Sequence, residues 1–581
     1  MNDFTNAEVA RKLQEVTAAY TLNKGNLFQI RAYENAATSI EHSTSEVKDL
    51  WEEGNLDKIS GIGEAIKAHL DELFKTGKVK HWEEIKKGIP SGVFELLGIP
   101  GIGPKTALKL AKMGVSGKDD LIHQLRNNIL VKKGFSKPLA RKIGDALKRE
   151  SARPKDGRML LTFAFAQAER ILEYLKKTPD IEKVDALGSL RRMVATIGDL
   201  DFAIASETPQ KAIDYIVKMP GISKVSEKGN TKATIILSGG LSVDFIVVDP
   251  ASYGALLQHF TGSKAHNIHL RSYAEKNGLS LSEFGVRNVK TSKINQTSTE
   301  EEFYGLLKMQ VPPPEIREDT DEIELAIKHQ LPQLVELEDI KGDLHVHSNL
   351  IAKPSHDPGV NSIKEIAKTA KKLGYRYVGS CDHQPSQANH NAEEMIQVLE
   401  KKKKAIEQFN YSGHSVRVLN LLEVDILPDG SLGVPDGALK YLDFAVASVH
   451  SSFNQSRNQM TMRILRALQN PYVKVLGHPT GRLLNKRESY KVDWKKVFKF
   501  AAKNNKALEI NAYPDRLDLP DILVREAKEY GVKFVVSTDS HNVSQMDNMR
   551  FGVAVARRGW CEAKDIINTW DFKRLLEWCR I

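Results

Sequence analysis

The sequence predicts a multidomain chain of α+β and α/β type, and three observations carry that prediction. Its 581 residues exceed one ordinary domain. The first quarter is helical and punctuated by two hydrophobic-Gly-hydrophobic-Gly turns. Beyond Lys341, apolar strands alternate with helical patterns, which builds either an α/β barrel or a wound sheet. A hydrophobic content of 41% supplies packed cores, and 27% charged residues with that content excludes wholesale disorder. Lys plus Arg number 84 against 74 for Asp plus Glu, and the resulting charge of +10 suits a polyanionic partner. Cys381, Cys561 and Cys579 form no close pair, which excludes a disulfide framework and a Cys-rich zinc module. Met1 leads into polar Asn2 and Asp3, and no apolar run spans a bilayer, so a soluble, cytoplasmic protein without a membrane partner is expected.

Taken in order, the helical part comes first. Ile59-Ser60-Gly61-Ile62-Gly63 precedes an apolar-periodic helix over 65–73, and Ile99-Pro100-Gly101-Ile102-Gly103 precedes another over 105–113. A turn of this kind exposes N–H groups at a positive helix end, and a phosphate can approach because Gly carries no Cβ. This helix-hairpin-helix pattern holds a DNA backbone without reading sequence. Tight helix-helix turns also use Gly for structural reasons, but two copies in a basic segment favour DNA. Gly61, Gly63, Gly101, Gly103 and Lys105 are the candidate contacts, with Ala107 and Leu110 as core. Short β-rich runs follow at 183–187, 201–205, 234–237 and 243–248. Val311-Pro312-Pro313-Pro314 and the acidic stretch 318–324 read as a linker. The later strands fall at 377–380, 416–422, 444–449, 473–476, 507–510 and 534–537, while Lys401 to Lys404 read as a solvated helix face.

Two groups of residues carry chemistry. The first is Gly188-Ser189-Leu190-Arg191-Arg192, Gly198-Asp199-Leu200-Asp201 and Val243-Asp244-Phe245. Residues i and i+2 of a strand share a face, so Asp199 and Asp201 project together, and Asp244 completes the cluster if its strand is a neighbour. Three close carboxylates repel one another unless divalent cations neutralise them, which suits a two-metal site holding Mg²⁺ or Mn²⁺. Gly188 and Ser189 at a turn, with Arg192, would hold a triphosphate. Asp-x-Asp alone would be a solvated strand edge; joined to the Gly-Ser element and a distant strand Asp, it points to nucleotidyl transfer.

The second group is imidazole-rich. Asp343-Leu344-His345-Val346-His347 places two imidazoles on one strand face. His383, Glu423, His450, His478, and Asp539 with His541 each terminate a later apolar strand. One such His is usually a satisfied core or cap residue. A series of them converges on one face, because the carboxyl ends of barrel strands share it. Imidazole plus carboxylate without thiolate suits a Zn²⁺, Mn²⁺ or Fe²⁺ cluster acting on phosphorus esters.

The Gly-Ser-x-Arg-Arg and Gly-Asp-Leu-Asp motifs, with the stretch from Leu257 to Asn267, resemble family X DNA polymerases, and Phe28 to Ala37 resembles that family's small amino-terminal domain. The C-terminal block, through Leu432 to Val449 and Gly477 to Arg482, is similar to the polymerase and histidinol phosphatase (PHP) domain. The order is that of bacterial and archaeal family X polymerases fused to such a domain. The resemblance implies a nucleotidyltransferase palm with thumb and a distorted TIM-like (β/α)7 barrel. It makes Asp199, Asp201 and Asp244 the catalytic metal ligands and sets Gly188, Ser189, Arg192 and Gly198 against the triphosphate. Phe260, Gly262 and Asn267 would face the incoming sugar and base. In the barrel it implies nine ligands: His345, His347, Asp357, His383, Glu423, His450, His478, Asp539 and His541. Asp357 stands ten positions after His347, farther than usual, and His356 competes with it.

The implied organisation is a small DNA-binding domain over 1–82, fingers over 83–152, palm over 153–250, thumb over 251–317, linker over 318–340 and PHP domain over 341–581. The implied function is filling short gaps in gapped or primer-template DNA from dNTPs during base excision repair. A metal-dependent 3′–5′ exonuclease accompanies it, with AP endonuclease or 3′-end processing, in a monomer. The chain departs from the family at Met193, where Gly is usual, at Val194-Ala195, at Ile246 and at His259. The position of the family's Schiff-base Lys is His69, and Lys67 lies on another face, so lyase activity is not expected. The alternative is a small-molecule phosphatase with a DNA-binding tether.

Overall fold

The computed structural model describes residues 4, 6–41, 47–52, 56, 62–97, 102–117, 120–121, 124–125, 129–136, 139–140, 143 and 158–580. The chain forms two compact units, residues 1–154 and 155–581.

In the first unit, the helices Asn6–Leu22, Leu27–Glu41, Glu64–Thr76 and Lys80–Lys86 share a core that includes Leu13, Tyr33, Leu70, Phe74 and Trp82. Ile66, Leu70, Leu73 and Phe74 fall on one stripe of their helix, which is why that face is buried. A second core gathers Val93, Leu96, Ala107, Leu110 and Phe135 around the helices Ser91–Leu96 and Pro104–Lys112.

The second unit opens with β1 (Met159–Leu160), β2 (Lys183–Ala186), β3 (Thr196–Ile197), β4 (Leu200–Ala205), β5 (Ile222–Lys228), β6 (Lys232–Leu237) and β7 (Ser242–Val248). Strands β1 and β3 pair as a ribbon, and the rest form a sheet in the order β2-β4-β7-β6-β5. Only β4 and β7 run parallel, and their register sets Asp201 directly beside Asp244. The strand period is visible in the packing. Phe202 and Ile204 join the core under the helices Leu161–Leu175 and Pro209–Ile216, while Ala203 and Ala205 face Tyr253, Leu256 and Leu257. Asp201 and Asp244 share the second face. That face is covered by the helix Tyr253–Thr261, followed by Lys264–Lys276, the small sheet β8 (Leu279–Ser282), β9 (Gly285–Asn288), β10 (Ile294–Asn295), and the helix Glu300–Leu306.

The acidic segment expected as a linker is folded. Its helix Glu322–Ile327 places Ile323 and Ala326 in the core with Phe303 and Tyr304, and the buried Glu322 bonds His266 Nδ1 at 2.6 Å. Ile316 and Leu334 pack against Trp560, and Val335 N donates to Cys561 O. Apolar residues spaced through a charged run turn it into a strap between thumb and barrel.

Seven strands then run parallel and in sequence order: β11 (Gly342–Val346), β12 (Tyr377–His383), β13 (Arg417–Asp425), β14 (Phe444–Ser448), β15 (Val473–Leu476), β16 (Ala507–Asn511) and β17 (Lys533–Ser537). A parallel bridge from Val346 to Ser540 brings the last strand back to the first, so the sheet is a nearly closed barrel and not a wound sheet. Leu344, Cys381, Leu421, Phe444, Val446 and Val535 fill its interior, and Trp578 packs with this interior group. The run Lys401–Lys404 is not wholly a solvated face. Lys401 and Lys404 are exposed, but Lys402 is buried, pairs with Asp382 at 2.9 Å and donates to Ser380 O at 2.8 Å. A long flexible stem lets one Lys of the run reach inward to strand-end acceptors. Met193, where the family places Gly, has φ 54°, the left-handed region that a side chain enters at a cost of about 1–2 kcal/mol. Its side chain packs against the main core, which offsets that strain. No helix among the described residues is long and apolar enough to cross a membrane.

One buried ion cluster links these parts. Glu300 accepts from Arg317 Nη1 at 2.5 Å and from Arg191 Nη2 at 2.7 Å, and Arg317 is fully buried. Burial alone would raise the Glu300 carboxyl, but the two guanidiniums outweigh it and hold it at about 2. Glu300→Ala is expected to destabilise the protein by roughly 3–5 kcal/mol in urea denaturation, because it strands a buried Arg. Lys75→Ala, which removes an exposed pair with Asp71, should cost less than about 1 kcal/mol. The depressed carboxyl makes the Glu300 contribution complete above its ordinary value of 4.5, and lost as pH falls from there towards 2.

Candidate metal centres

The first centre lies on the palm sheet. Asp199 is exposed in the turn before β4, Asp201 is half-buried on β4, and Asp244 is buried on β7. One ligand oxygen from each falls within 4.8 Å of the others. Thr234 on β6 donates to Asp244 Oδ1 and fixes that carboxylate. Burial, then the charges of Asp199 and Asp244, push the Asp201 carboxyl well above the usual range. An all-oxygen set with mutual repulsion fits hard divalent cations, which would relieve it. The turn beside it is built to the same closeness. Gly188 has φ 57°, and a Cβ there would lie 2.9 Å from Asp201 Oδ2, so a side chain would strain the backbone and push that carboxylate aside. Leu187 N donates to Asp201 O at 2.8 Å.

The expected triphosphate and sugar contacts surround this turn. Ser189 is half-buried on the short helix Gly188–Arg191. Arg192 Nη1 donates to Thr261 O at 2.6 Å and Nε to Glu318 at 3.0 Å, and Glu318 also accepts from Arg558 on the barrel at 3.0 Å. Gly262, with φ 69°, lies close enough that its Cβ would meet Arg192 Nη1 at 3.0 Å. Gly198 faces Arg158, and Phe260 leans on His259 with ring centroids 4.8 Å apart. The Asn267 amide is engaged within the thumb, donating to His259 O at 2.7 Å and accepting from Gln258 at 2.8 Å.

The second centre sits at the carboxyl ends of the barrel strands. Glu423 is its hub: one oxygen lies 2.9 Å from His383 Nδ1 and 3.3 Å from His345 Nε2, the other 2.9 Å from His478 Nε2 and 3.3 Å from His450 Nε2. Asp539 reaches His347 at 3.0 Å, and the His347 and His541 rings stack 3.9 Å apart. His345 Nε2, His347 Nδ1, His383 Nδ1, Glu423 Oε2 and His478 Nδ1 are buried without a hydrogen-bond partner. An unsatisfied buried polar atom costs about 1–3 kcal/mol, so five in one place mark a donor set that fits cations. Burial and then His383 push the His347 imidazole down to about 3. Burial would lower His450 as well, but Glu423 and Asp425 outweigh it and raise the ring to about 9.

At the third ligand position the structure brings in His356 and not Asp357. His356 Nε2 lies 3.1 Å from Asp425, and its ring is 4.3 Å from His450 and 4.9 Å from His383. Asp357 is exposed and joins no such group among the described residues. A bridge between Pro354 and Pro385 pins this loop beside β12, which presents the imidazole. Two acids escaped the sequence reading. Asp425 bonds His450 Nδ1 at 2.7 Å; its signal was the i, i+2 spacing from Glu423. Glu509 bonds His345 Nδ1 at 2.7 Å and accepts from His478 N at 2.6 Å; its signal was an acid between Leu508 and Ile510 in a buried strand. By holding one ring nitrogen it aims the other at the centre.

In the first unit, Gly63 and Gly103 cap their helices in extended conformation, with open space where a Cβ would stand, and Lys105 is exposed. Neither strain nor packing demands Gly there, and the open space leaves room for a phosphate at the helix N-terminus. Gly61 and Gly101 lie outside the described residues. His69 accepts or donates at 2.6 Å with Tyr33 and stacks on His81, and Lys67 pairs with Glu64 at 2.8 Å.

Comparison with known proteins follows the same division. Residues 4–79 match the helix-hairpin-helix domain, 93–149 the SAM-like helix-hairpin-helix tandem, 256–318 the DNA polymerase beta thumb and 343–513 the PHP domain. The chain is 36% identical over 572 residues to the DNA polymerase/3′-5′ exonuclease PolX of Bacillus subtilis (strain 168), covering 97% of this chain and 98% of that protein. It is 28% identical to a probable phosphatase of Thermoanaerobacter sp. (strain X514), over 41% of this chain and 94% of the relative.

Metal uptake at the barrel centre should expel protons. With its ring raised to about 9, metal-free His450 is protonated at neutral pH, and a ligand nitrogen must be bare. Titrating Mn²⁺ into chelator-treated protein, in buffers of differing protonation enthalpy, should show proton release and an affinity that rises with pH. His450→Ala should weaken the metal and lower the number of protons released.

Proposed function

The chain belongs to the family X DNA polymerases that carry a C-terminal PHP domain, and from that premise we propose that it fills short gaps in damaged DNA, extending a primer 3′ end at one centre and trimming it at the other. It is a DNA polymerase with 3′–5′ exonuclease, the pair of activities for which its Bacillus relative is named. The observation that carries the finer reading is the presence of two separate donor sets in one compact unit, one of carboxylates alone and one rich in imidazole.

At the palm, Asp199, Asp201 and Asp244 would hold Mg²⁺ or Mn²⁺. Such ions, when bound, supply Lewis acidity toward the primer hydroxyl and the leaving pyrophosphate. The chain's own part is positioning. The β4–β7 register fixes two carboxylates side by side, Thr234 steadies Asp244, and Gly188 lets the turn approach Asp201. Ser189, Gly198 and Arg192 take the triphosphate in this reading, with Arg192 exchanging Glu318 for phosphate oxygens. Phe260, Gly262 and Asn267 shape the wall for sugar and base. Gly63, Gly103 and Lys105 meet the DNA backbone.

At the barrel, His345, His347, His356, His383, Glu423, His450, His478, Asp539 and His541 would hold a cluster of Zn²⁺, Mn²⁺ or Fe²⁺, which supplies Lewis acidity toward a phosphodiester. Glu509 and Asp425 orient His345 and His450. Cutting at abasic sites and cleaning blocked 3′ ends are further uses proposed for the same chemistry, in a cytoplasmic monomer. A small-molecule phosphatase accounts for the barrel alone, since the phosphatase relative matches 41% of the chain and leaves the palm carboxylates without a use.

The test is a 5′-labelled primer at a short gap, with Mg²⁺ or Mn²⁺, with and without dNTPs. Asp199→Ala with Asp201→Ala should cut extension about a thousandfold or more, equivalent to several kcal/mol of lost transition-state stabilisation, and leave shortening in place. His345→Ala with His347→Ala should do the reverse. Wild-type protein that neither extends nor shortens the primer would sink the reading.

A further inference from the structure

The loops that carry His450 and His478 also build a cavity. His450 lies two residues beyond the end of β14 and leads into 451–456; His478 lies two beyond the end of β15 and leads into 479–490. Between these loops lies a cavity of about 590 Å³, lined by Ser452, Phe453, Asn454, Arg487, Glu488, Ser489 and Tyr490. That volume falls within the range of roughly 300–1,000 Å³ usual for ligand sites.

Its lining has a definite chemistry. The Arg487 guanidinium lies 3.9 Å over the Phe453 ring, and Tyr490 stacks on Phe453 with ring centroids 6.4 Å apart at 19°. Arg487 Nε donates to Gly481 O at 2.8 Å, and Tyr490 OH bonds Pro479 O, so the plate is held by backbone on both sides. Ser452 and His478 occupy positive φ, at 51° and 24°, where only surrounding structure keeps a side-chain-bearing residue.

A second cation connects this plate to the centre. Arg516, on the loop after β16, lies 3.7 Å from Asp539 Oδ2, and its Nη1 is buried without a hydrogen-bond partner. Burial, and then the charge of Arg516, lower the Arg487 pKa. A planar cation stacked on an aromatic ring suits a nucleobase, and a guanidinium with unused donors beside metal ligands suits a phosphate.

We propose that this groove binds the 3′-terminal nucleotides of single-stranded DNA, a base stacking against the Arg487–Phe453 plate while Arg516 holds the phosphodiester presented to the centre. The proposal rests on the exonuclease reading and adds the residues that would hold the strand end, Phe453 and Arg487 by stacking, which needs no base preference, and Arg516 by charge. A small phosphate ester would use Arg516 and the metals but gain nothing from the plate.

The experiment uses the full chain loaded with Mn²⁺, a 5′-labelled single-stranded pentanucleotide and bis(p-nitrophenyl) phosphate. Phe453→Ala and Arg487→Ala should each raise KM for the oligonucleotide roughly tenfold, the loss of one stacked base, and depress its cleavage far more than that of the small ester. Arg516→Ala should lower kcat for both substrates, with partial return in Arg516→Lys. Metal content and thermal melting accompany each variant, and Phe453→Leu carries the test if Phe453→Ala does not fold. An unaltered ratio of the two substrates in Phe453→Ala and Arg487→Ala overturns the groove and leaves the exonuclease standing. Wild-type protein that leaves the oligonucleotide intact overturns both.

Discussion

The carboxylate of Glu300, shared between Arg191 and Arg317, sets the frame for residues 155–581. Its neighbours repeat the arrangement one residue along: Arg192 pairs with Glu318, and Glu318 with Arg558. Adjacent arginines of the turn that begins at Gly188 are therefore tied to different places, one to the thumb helix and one through the strap to the barrel. In a buried setting each such charge is tolerable only while its partners stay put. The turn that brings Gly188 against Asp201 inherits its position from that chain of pairs.

The two centres answer one electrostatic problem in opposite ways. On the palm, like charges converge, and the protein leaves Asp201 poorly stabilised as an anion. In the barrel, imidazoles surround Glu423 so densely that its carboxyl is driven well below the usual range despite full burial. Oxygen donors under mutual repulsion await a hard cation. Imidazole donors oriented by Asp425 and Glu509 suit borderline metals.

Much of this could be read from residue order. Asp199, Asp201 and Asp244 announced themselves because strand periodicity fixes which side chains share a face. The barrel ligands did so because each closes an apolar run. What escaped depended on loop path and tertiary reach. The choice of His356 over Asp357 turns on how the Pro354 bridge seats a loop, and no spacing encodes that. Glu509 sits between Leu508 and Ile510 in a buried strand, where an acid has no meaning until His345 is placed opposite. Lys402 is one of four identical neighbours, and only packing distinguishes the buried one. The acidic segment after the prolines looked like a tether because composition reports solvation, whereas Ile316, Ile323 and Leu334 within it decide its fate.

That strap has a consequence for how such a protein is taken apart or assembled. Residues 155–581 form one compact unit, so severing the chain at the acidic stretch would not release a polymerase and a nuclease as independent pieces. Each fragment would carry half of a shared core: Trp560 and Leu334 without Ile316, or Arg192 and Glu318 without Arg558. The two enzymes are thus inherited as a single folding unit. Exchange of either half between relatives has to carry the strap and its contacts on both sides, and a lesion in the barrel helix Met549–Arg558 reaches Arg192 and its turn through two ion pairs.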